Sequence, residues 1–292
     1  MNEIVVKSIL NKHKKRDSWF LTDYSVNPYQ GCAMNCLYCY IRGSKYGVQM
    51  NVSVKKNAVE ILDRQLSLRA KNKQFGIIAL ASATDPYMPI EKETTLTRQF
   101  LKVILKHRFP VYVMTRSDLV FRDLDILRQI QKSAILPDDL QGKGIQNVII
   151  ASSFCTLDNE IAKRFEPNVN PPMERMEMLR KLKQDGFYVG AHFLPLLPKL
   201  TDTKESLQTY VGTTKEYGLD YLLVGSVTLF GNKEADSKTL VLKIIERYYP
   251  DVYTDYQKQF SRQDYVTQKY QLNLEKIMKE LCCKSGLKYG IS

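Results

Sequence analysis

From Phe75 to Val224 two patterns of apolar positions alternate along the chain. Continuous apolar runs at Phe75–Ala81, Val111–Thr115, Val148–Ser152, Phe187–Phe193 and Tyr221–Val224 predict buried strands, and an earlier strand is expected near Asp23–Pro28. Apolar residues at mostly helical spacing predict helices over Val54–Lys71, Thr94–His107, Leu119–Lys132, Asp158–Phe165, Pro172–Gln184 and Lys204–Tyr217. The punctuation agrees with these bounds. Asp158 is placed to cap a helix, Pro172 falls in a first turn that tolerates it, and Gly186 and Gly218 follow two helix ends. Pro137 to Gly144 reads as a surface loop. Strands that are apolar without alternation belong in a parallel sheet covered on both faces. Alternating strands and helices with right-handed crossovers give an α/β fold, and curling the sheet makes it a partial (β/α)6 barrel of TIM type. Barrel enzymes place their chemistry at the C-terminal ends of the strands, so segments distant in sequence converge on one mouth.

After Phe230 the pattern becomes helical throughout, with helices expected over Thr239–Tyr249, after Pro250, and over Tyr265–Leu281. At 292 residues the chain suits one domain. Its expected parts are a basic lead-in (1–20), the barrel (21–230) and a helical C-terminal extension (231–292). Tyrosines 248, 249, 253, 256, 265 and 270 fit a covering role for that extension better than base-stacking platforms.

Composition changes the picture little: 44% hydrophobic and 25% charged residues describe an ordinary folded chain. The net charge of +12 would attract polyanions such as nucleic acid, although acidic and basic residues are interspersed almost everywhere. The densest run, Lys12-His13-Lys14-Lys15-Arg16, reads as a solvated arm. The N-terminus lacks an apolar core of signal-peptide length, and no run approaches membrane-spanning length, so a cytoplasmic location is expected. Thiols stay reduced there.

The candidate chemistry is concentrated in Asn27-Pro28-Tyr29-Gln30-Gly31-Cys32-Ala33-Met34-Asn35-Cys36-Leu37-Tyr38-Cys39-Tyr40, which holds three of the six cysteines at Cys-x3-Cys-x2-Cys spacing. An odd number of thiols this close points to metal ligation rather than to a disulfide framework. Three thiolates leave one position of a structural zinc site unfilled, whereas an iron–sulfur cluster held by three cysteines keeps one iron open. A zinc knuckle would need completion from Cys155, Cys282, Cys283, His13, His107 or His192, none at zinc-finger spacing from the triplet. His192 reads as a hydrogen-bonded core histidine.

With its flanking Asn-Pro-Tyr-x-Gly and Tyr-Cys-Tyr, this loop resembles that of the radical S-adenosylmethionine (SAM) enzymes. It is most similar to the branch of spore photoproduct lyase and its "DNA repair photolyase" relatives. The resemblance runs roughly from Trp19 to Gly286. It takes in Thr84-Asp85-Pro86-Tyr87-x-Pro89-x-Glu91, Thr115-Arg116-Ser117, Thr156-Leu157-Asp158 with Glu166-Pro167, Pro195-x-x-Pro198 and Tyr249-Pro250. It implies a 4Fe-4S cluster on Cys32, Cys36 and Cys39, with SAM on the open iron. Reduction by an external donor of flavodoxin or ferredoxin type would cleave SAM to a 5′-deoxyadenosyl radical.

Carried over by position, Tyr38 would lie on the adenine side of SAM and Thr84 and Asp85 near its amino end. Arg116 would meet the carboxylate, assisted by Ser153 or Ser152, and a guanidinium with a hydroxyl suits a carboxylate. One departure matters. The lyase uses a cysteine at the end of strand two as hydrogen donor, and the matching residue here is Ser82. The tyrosines that assist that donor are present as Tyr38 and Tyr40, which leaves the relay incomplete; Cys155 is a conceivable substitute, although free cysteines more often serve as small buried hydrophobes.

The leading expectation is thus a radical SAM enzyme abstracting hydrogen from an unidentified substrate, with nucleic acid the favoured class. The alternatives are radical modification of a peptide or small metabolite, and a non-catalytic nucleic-acid-binding protein with a structural metal site. Fold and cofactor do not choose among substrates.

Overall fold

The structure, a computed structural model, describes residues 2–44 and 51–292. In chain order its elements are β1 (Asn2–Ile4), β2 (Asn11–Lys12), β3 (Tyr24–Val26), β4 (Tyr29–Gln30), β5 (Ser53–Lys55), α1 (Ala58–Lys71), β6 (Ile78–Leu80), α2 (Glu91–Thr94), α3 (Leu96–Lys106), β7 (Val111–Met114), α4 (Leu124–Ser133), β8 (Val148–Ser153), α5 (Asn159–Phe165), α6 (Pro172–Gln184), β9 (Tyr188–Leu196), α7 (Lys204–Glu216), β10 (Tyr221–Ser226), α8 (Ser237–Tyr248), α9 (Pro250–Phe260), α10 (Gln268–Ser285) and β11 (Lys288–Tyr289).

Eight strands form one sheet in the order β11-β10-β9-β8-β7-β6-β3-β2, parallel throughout except for the antiparallel edge pair β2–β3. Its strands bury both faces. Val148, Ile150, Val189, Leu222 and Val224 pack on the helix side, while their neighbours Ile149, Ala151, Tyr188, Tyr221 and Leu223 form a second core on the other side. This double burial is why the sequence shows continuous rather than alternating apolar runs. The fold is the α/β fold expected, a mixed sheet with the character of a partial TIM-type barrel.

Several expectations are corrected. Val54 does not begin a helix: Ser53–Lys55 is a strand, paired with β1 in parallel and with β4 antiparallel in a small separate sheet. A three-residue strand is too short for period two to be told from a helical start. The basic lead-in is likewise not a free arm. Asn11–Lys12 pairs with β3, Arg16 Nε binds Asp23 Oδ1 at 3.0 Å, and His13 Nδ1 lies 3.0 Å from the Thr22 carbonyl. The helix expected from Leu119 opens with a 3-10 turn over Asp118–Asp123, capped by Ser117, and becomes α-helical at Leu124. The last long helix begins at Gln268 rather than Tyr265, with Thr267 Oγ1 accepting from Tyr270 N at 3.2 Å. Among the described residues no helix is long and apolar enough to cross a membrane.

Candidate functional site

The C-terminal ends of β3, β6, β7, β8, β9 and β10 open on one cavity of about 800 Å³. Cys32, Cys36 and Cys39 all line it, and all three are free thiols. Their loop leaves β4 through Gly31, whose φ of 80° is costly for any residue with a Cβ. Cys39 N donates to the Cys36 carbonyl at 3.3 Å and Arg42 N to the Cys39 carbonyl at 2.9 Å, so the loop coils on itself. Arg42 clamps it from within, donating from Nε to the Cys36 carbonyl at 3.0 Å and from Nη2 to Asn35 Oδ1. From behind, Leu37 N donates to the Phe165 carbonyl at 2.9 Å and Asn168 Nδ2 to the Ala33 carbonyl at 3.0 Å. Desolvation pushes the Cys36 thiol up to about 12 against the opposing pull of Arg116, and it also raises Cys32. A metal centre there would displace protons on binding.

Cys155, His107 and His192, candidates to complete a zinc site, are placed elsewhere. Cys155 is buried in the helix-side core, His107 Nε2 lies 2.7 Å from Asp63 Oδ1, and His192 is enclosed by Tyr112 and Tyr221. Among the described residues no group of three or more His, Cys, Asp or Glu could hold a single metal ion.

Opposite the loop, Arg116 is partly buried, and its Nε makes no hydrogen bond although Glu166 Oε1 is 4.0 Å away. Burial opposes the Arg116 charge, but Cys36, Tyr38, Glu166 and Asp85 around it more than compensate, and the guanidinium stays ionised. Ser153 lines the cavity. Thr84 lines it too, with a buried Oγ1 that lacks a partner. Asp85 faces the same space, yet its carboxylate is occupied. Oδ1 accepts from Tyr87 N at 2.8 Å and Thr115 Oγ1 at 2.7 Å, and Oδ2 from Arg116 N at 2.8 Å. It ties the exit of β6 to that of β7 and so aims Arg116.

The family model of the Radical SAM superfamily matches residues 26–210. The chain belongs to this superfamily. An uncharacterised protein of Mycobacterium tuberculosis is 24% identical over 295 residues, covering 98% of this chain and 81% of that protein. One of Methanocaldococcus jannaschii is 31% identical over 200 residues, 66% of each chain. Among solved structures, a spore photoproduct lyase variant matches with a TM-score of 0.66 at 17% identity, covering 98% of this chain and 81% of that one. Another variant of that lyase was solved with AdoMet and dinucleoside spore photoproduct bound. At such identity the likeness establishes the fold.

Radical SAM membership implies SAM and an iron–sulfur cluster, and the cavity suits both. Three free thiols face it beside a cation whose buried Nε has no hydrogen-bond partner. Not every expected residue reaches the cavity. Ser152 lies on the helix side of β8 and does not line the cavity, because successive strand residues face opposite ways. The two tyrosines part company: Tyr40 Oη donates to the Ser82 carbonyl at 2.9 Å, whereas the Tyr38 hydroxyl turns down to buried Glu166. Tyr38 therefore offers the cavity its ring and not its phenol. Burial and the charge of Glu166 hold that phenol far above its ordinary range. Cys155 does not line the cavity either, so it is no stand-in for the missing thiol.

Two residues in and beneath the cavity were not anticipated. Arg175, 1% exposed, donates to Glu166 and to the Ser153 carbonyl and lies 4.7 Å over the Phe154 ring, bracing the base of the site. The signal was present: Arg175 falls on the stripe of Met176, Leu179 and Leu182 that α6 buries. Lys55 lines the cavity from β5, the strand the apolar pattern had assigned to a helix.

Proposed function

We propose that this chain is a radical SAM enzyme in which Cys32, Cys36 and Cys39 hold a 4Fe-4S cluster and Arg116, Ser153 and Thr84 orient SAM. Nucleic acid is the proposed substrate class and an external donor of flavodoxin or ferredoxin type the proposed electron source. What carries the reading is the convergence of the three thiols and Arg116 on one cavity at the strands' C-terminal ends. When bound, the cluster and SAM supply a 5′-deoxyadenosyl radical that abstracts hydrogen. The chain's own contributions are to position and to shield. Arg116 supplies a charge-assisted hydrogen bond for a carboxylate, the Asp85 clamp fixes the backbone that carries it, and the Glu166–Arg175 pair holds the floor in place. The fold of spore photoproduct lyase and the net charge of +12 favour nucleic acid over a peptide or metabolite.

The test is anaerobic reconstitution followed by iron, sulfide and SAM-binding measurements. Wild type should carry about four irons, and changing all three loop cysteines to Ala should remove them. Arg116→Ala should keep the cluster and weaken SAM binding roughly tenfold to hundredfold. Retention of iron by the triple variant, or unchanged SAM affinity in a fully loaded Arg116→Ala protein, would overturn these assignments.

A further inference from the structure

Among the described residues three cations line the cavity, and two of them are spoken for. Arg42 is 5% exposed and spends its guanidinium on the Cys36 carbonyl, Asn35 and the Ala235 carbonyl. Arg116 stands among Cys36, Tyr38, Glu166 and Asp85. The third, Lys55, is different. It reaches the cavity from β5 in the small separate sheet and donates from Nζ to the Asn27 carbonyl at 2.7 Å. Among the described residues no carboxylate lies within ion-pair distance of it, and burial lowers its affinity for a proton with no acidic neighbour to restore it. A partly desolvated ammonium with spare donors is costly to keep unless an anion completes it. Among the described residues Asp85 is the only carboxylate lining this cavity, and it is saturated by three donors. The anion must therefore arrive with a ligand.

The surroundings of Lys55 indicate its chemistry. Asn27, which accepts from Lys55, also donates from Nδ2 to Ser82 Oγ at 3.3 Å and accepts at Oδ1 from Ala83 N at 2.9 Å, linking the ammonium to the end of β6. Tyr40 closes the same rim through the Ser82 carbonyl, and Trp19 and Phe20 add apolar rings to the wall. A compact cation and aromatic rings lining one cavity are the combination that binds a nucleotide, the charge taking a phosphate and the rings stacking on bases. We propose that Lys55 binds a backbone phosphodiester of the substrate, placing the adjoining base over Ser82 at the mouth. This rests on the enzymatic reading above and makes the substrate class specific. Arg116 serves the cofactor's anion and Lys55 the substrate's.

The test uses the reconstituted full chain with SAM present and compares two probes by calorimetry. One is the thymidine dinucleotide with its single phosphodiester; the other is the same compound with an uncharged methylphosphonate linkage. Wild type should bind the charged probe about tenfold more tightly, the worth of one charge-assisted hydrogen bond. Lys55→Met should bind both alike, at the level wild type shows for the neutral probe, and Lys55→Arg should restore the preference, which separates lost charge from lost folding. A preference that survives in Lys55→Met, or none in wild type, would overturn the proposal. So would tighter wild-type binding of an acidic dipeptide that vanishes in Lys55→Met, which would assign the subsite to a carboxylate. If the dinucleotide binds through Lys55 while reduced wild type leaves SAM intact, this inference stands and the enzymatic reading falls.

Discussion

Ser82 stands exposed at the rim of the cavity, with its hydroxyl accepting from Asn27 Nδ2 at 3.3 Å and its carbonyl accepting from Tyr40. An O–H bond is much stronger than an S–H bond, so this serine is a poor source of hydrogen for a carbon-centred product radical. Cys155 is sealed in the helix-side core and offers no replacement. Under the proposed function, wild type given a dinucleotide spore photoproduct anaerobically, with reductant and SAM, should start the reaction and finish it poorly. Ser82→Cys should raise the yield of intact thymine pairs. Clean repair by wild type would remove the argument from the missing donor, and no reaction from either protein would point to a different substrate. Position along the sequence sufficed to find Ser82. It was insufficient to separate Tyr38 from Tyr40, because the two flank Cys39 symmetrically in sequence and only the buried partner Glu166 shows which phenol is engaged.

The long buried strands were legible in the chain for a simple reason: covering both faces leaves a run of apolar letters with few alternative readings. Short strands carry no such mark, which is why β1, β2 and β5 went unseen and Lys55 with them. Close approaches between elements are equally silent in sequence. Gly190 on β9 lies against the Tyr221 ring of β10, and a Cβ built there would come within 2.1 Å of that ring. Gly212, exposed in α7, has nothing within 4 Å of the same position. One substitution should therefore act with opposite sign in the two elements. Gly190→Ala should destabilise the fold by about 1–3 kcal/mol through overpacking, while Gly212→Ala should stabilise it by about 0.5–1 kcal/mol by favouring the helix. Denaturant midpoints would measure both. Equal shifts would mean that β10 yields to a methyl group more readily than a packed barrel should.

At the scale of the whole molecule, the sheet leaves a gap that the segment before β3 fills. Trp19 packs where a Cβ on Gly225 of β10 would come within 2.9 Å of its ring, and Phe20 stacks on His192 of β9 at 5.6 Å. The far end is shut by the C-terminal segment, where Tyr188 Oη donates to the Ile291 carbonyl at 2.9 Å. His192 is sealed between these closures, its Nδ1 3.2 Å from Tyr112 Oη and its Nε2 3.0 Å from Tyr221 Oη, with no acid among the described residues in contact with it. Burial without a compensating charge depresses its pKa to about 3, whereas in the unfolded chain it titrates near 6.5, so on acidification the unfolded state takes up the proton first. The stability due to a neutral His192 is complete above about pH 6.5 and is lost as pH falls toward 3, at roughly 1.4 kcal/mol per pH unit. Between pH 7 and pH 5 this amounts to about 2 kcal/mol. His192→Gln retains a donor and an acceptor between the two tyrosines but cannot titrate, so its stability should fall less steeply over that interval in urea unfolding followed by circular dichroism. Parallel pH profiles for the two proteins would mean that His192 can be protonated within the closed barrel, and hence that Trp19, Phe20 and the C-terminal segment do not exclude water from it.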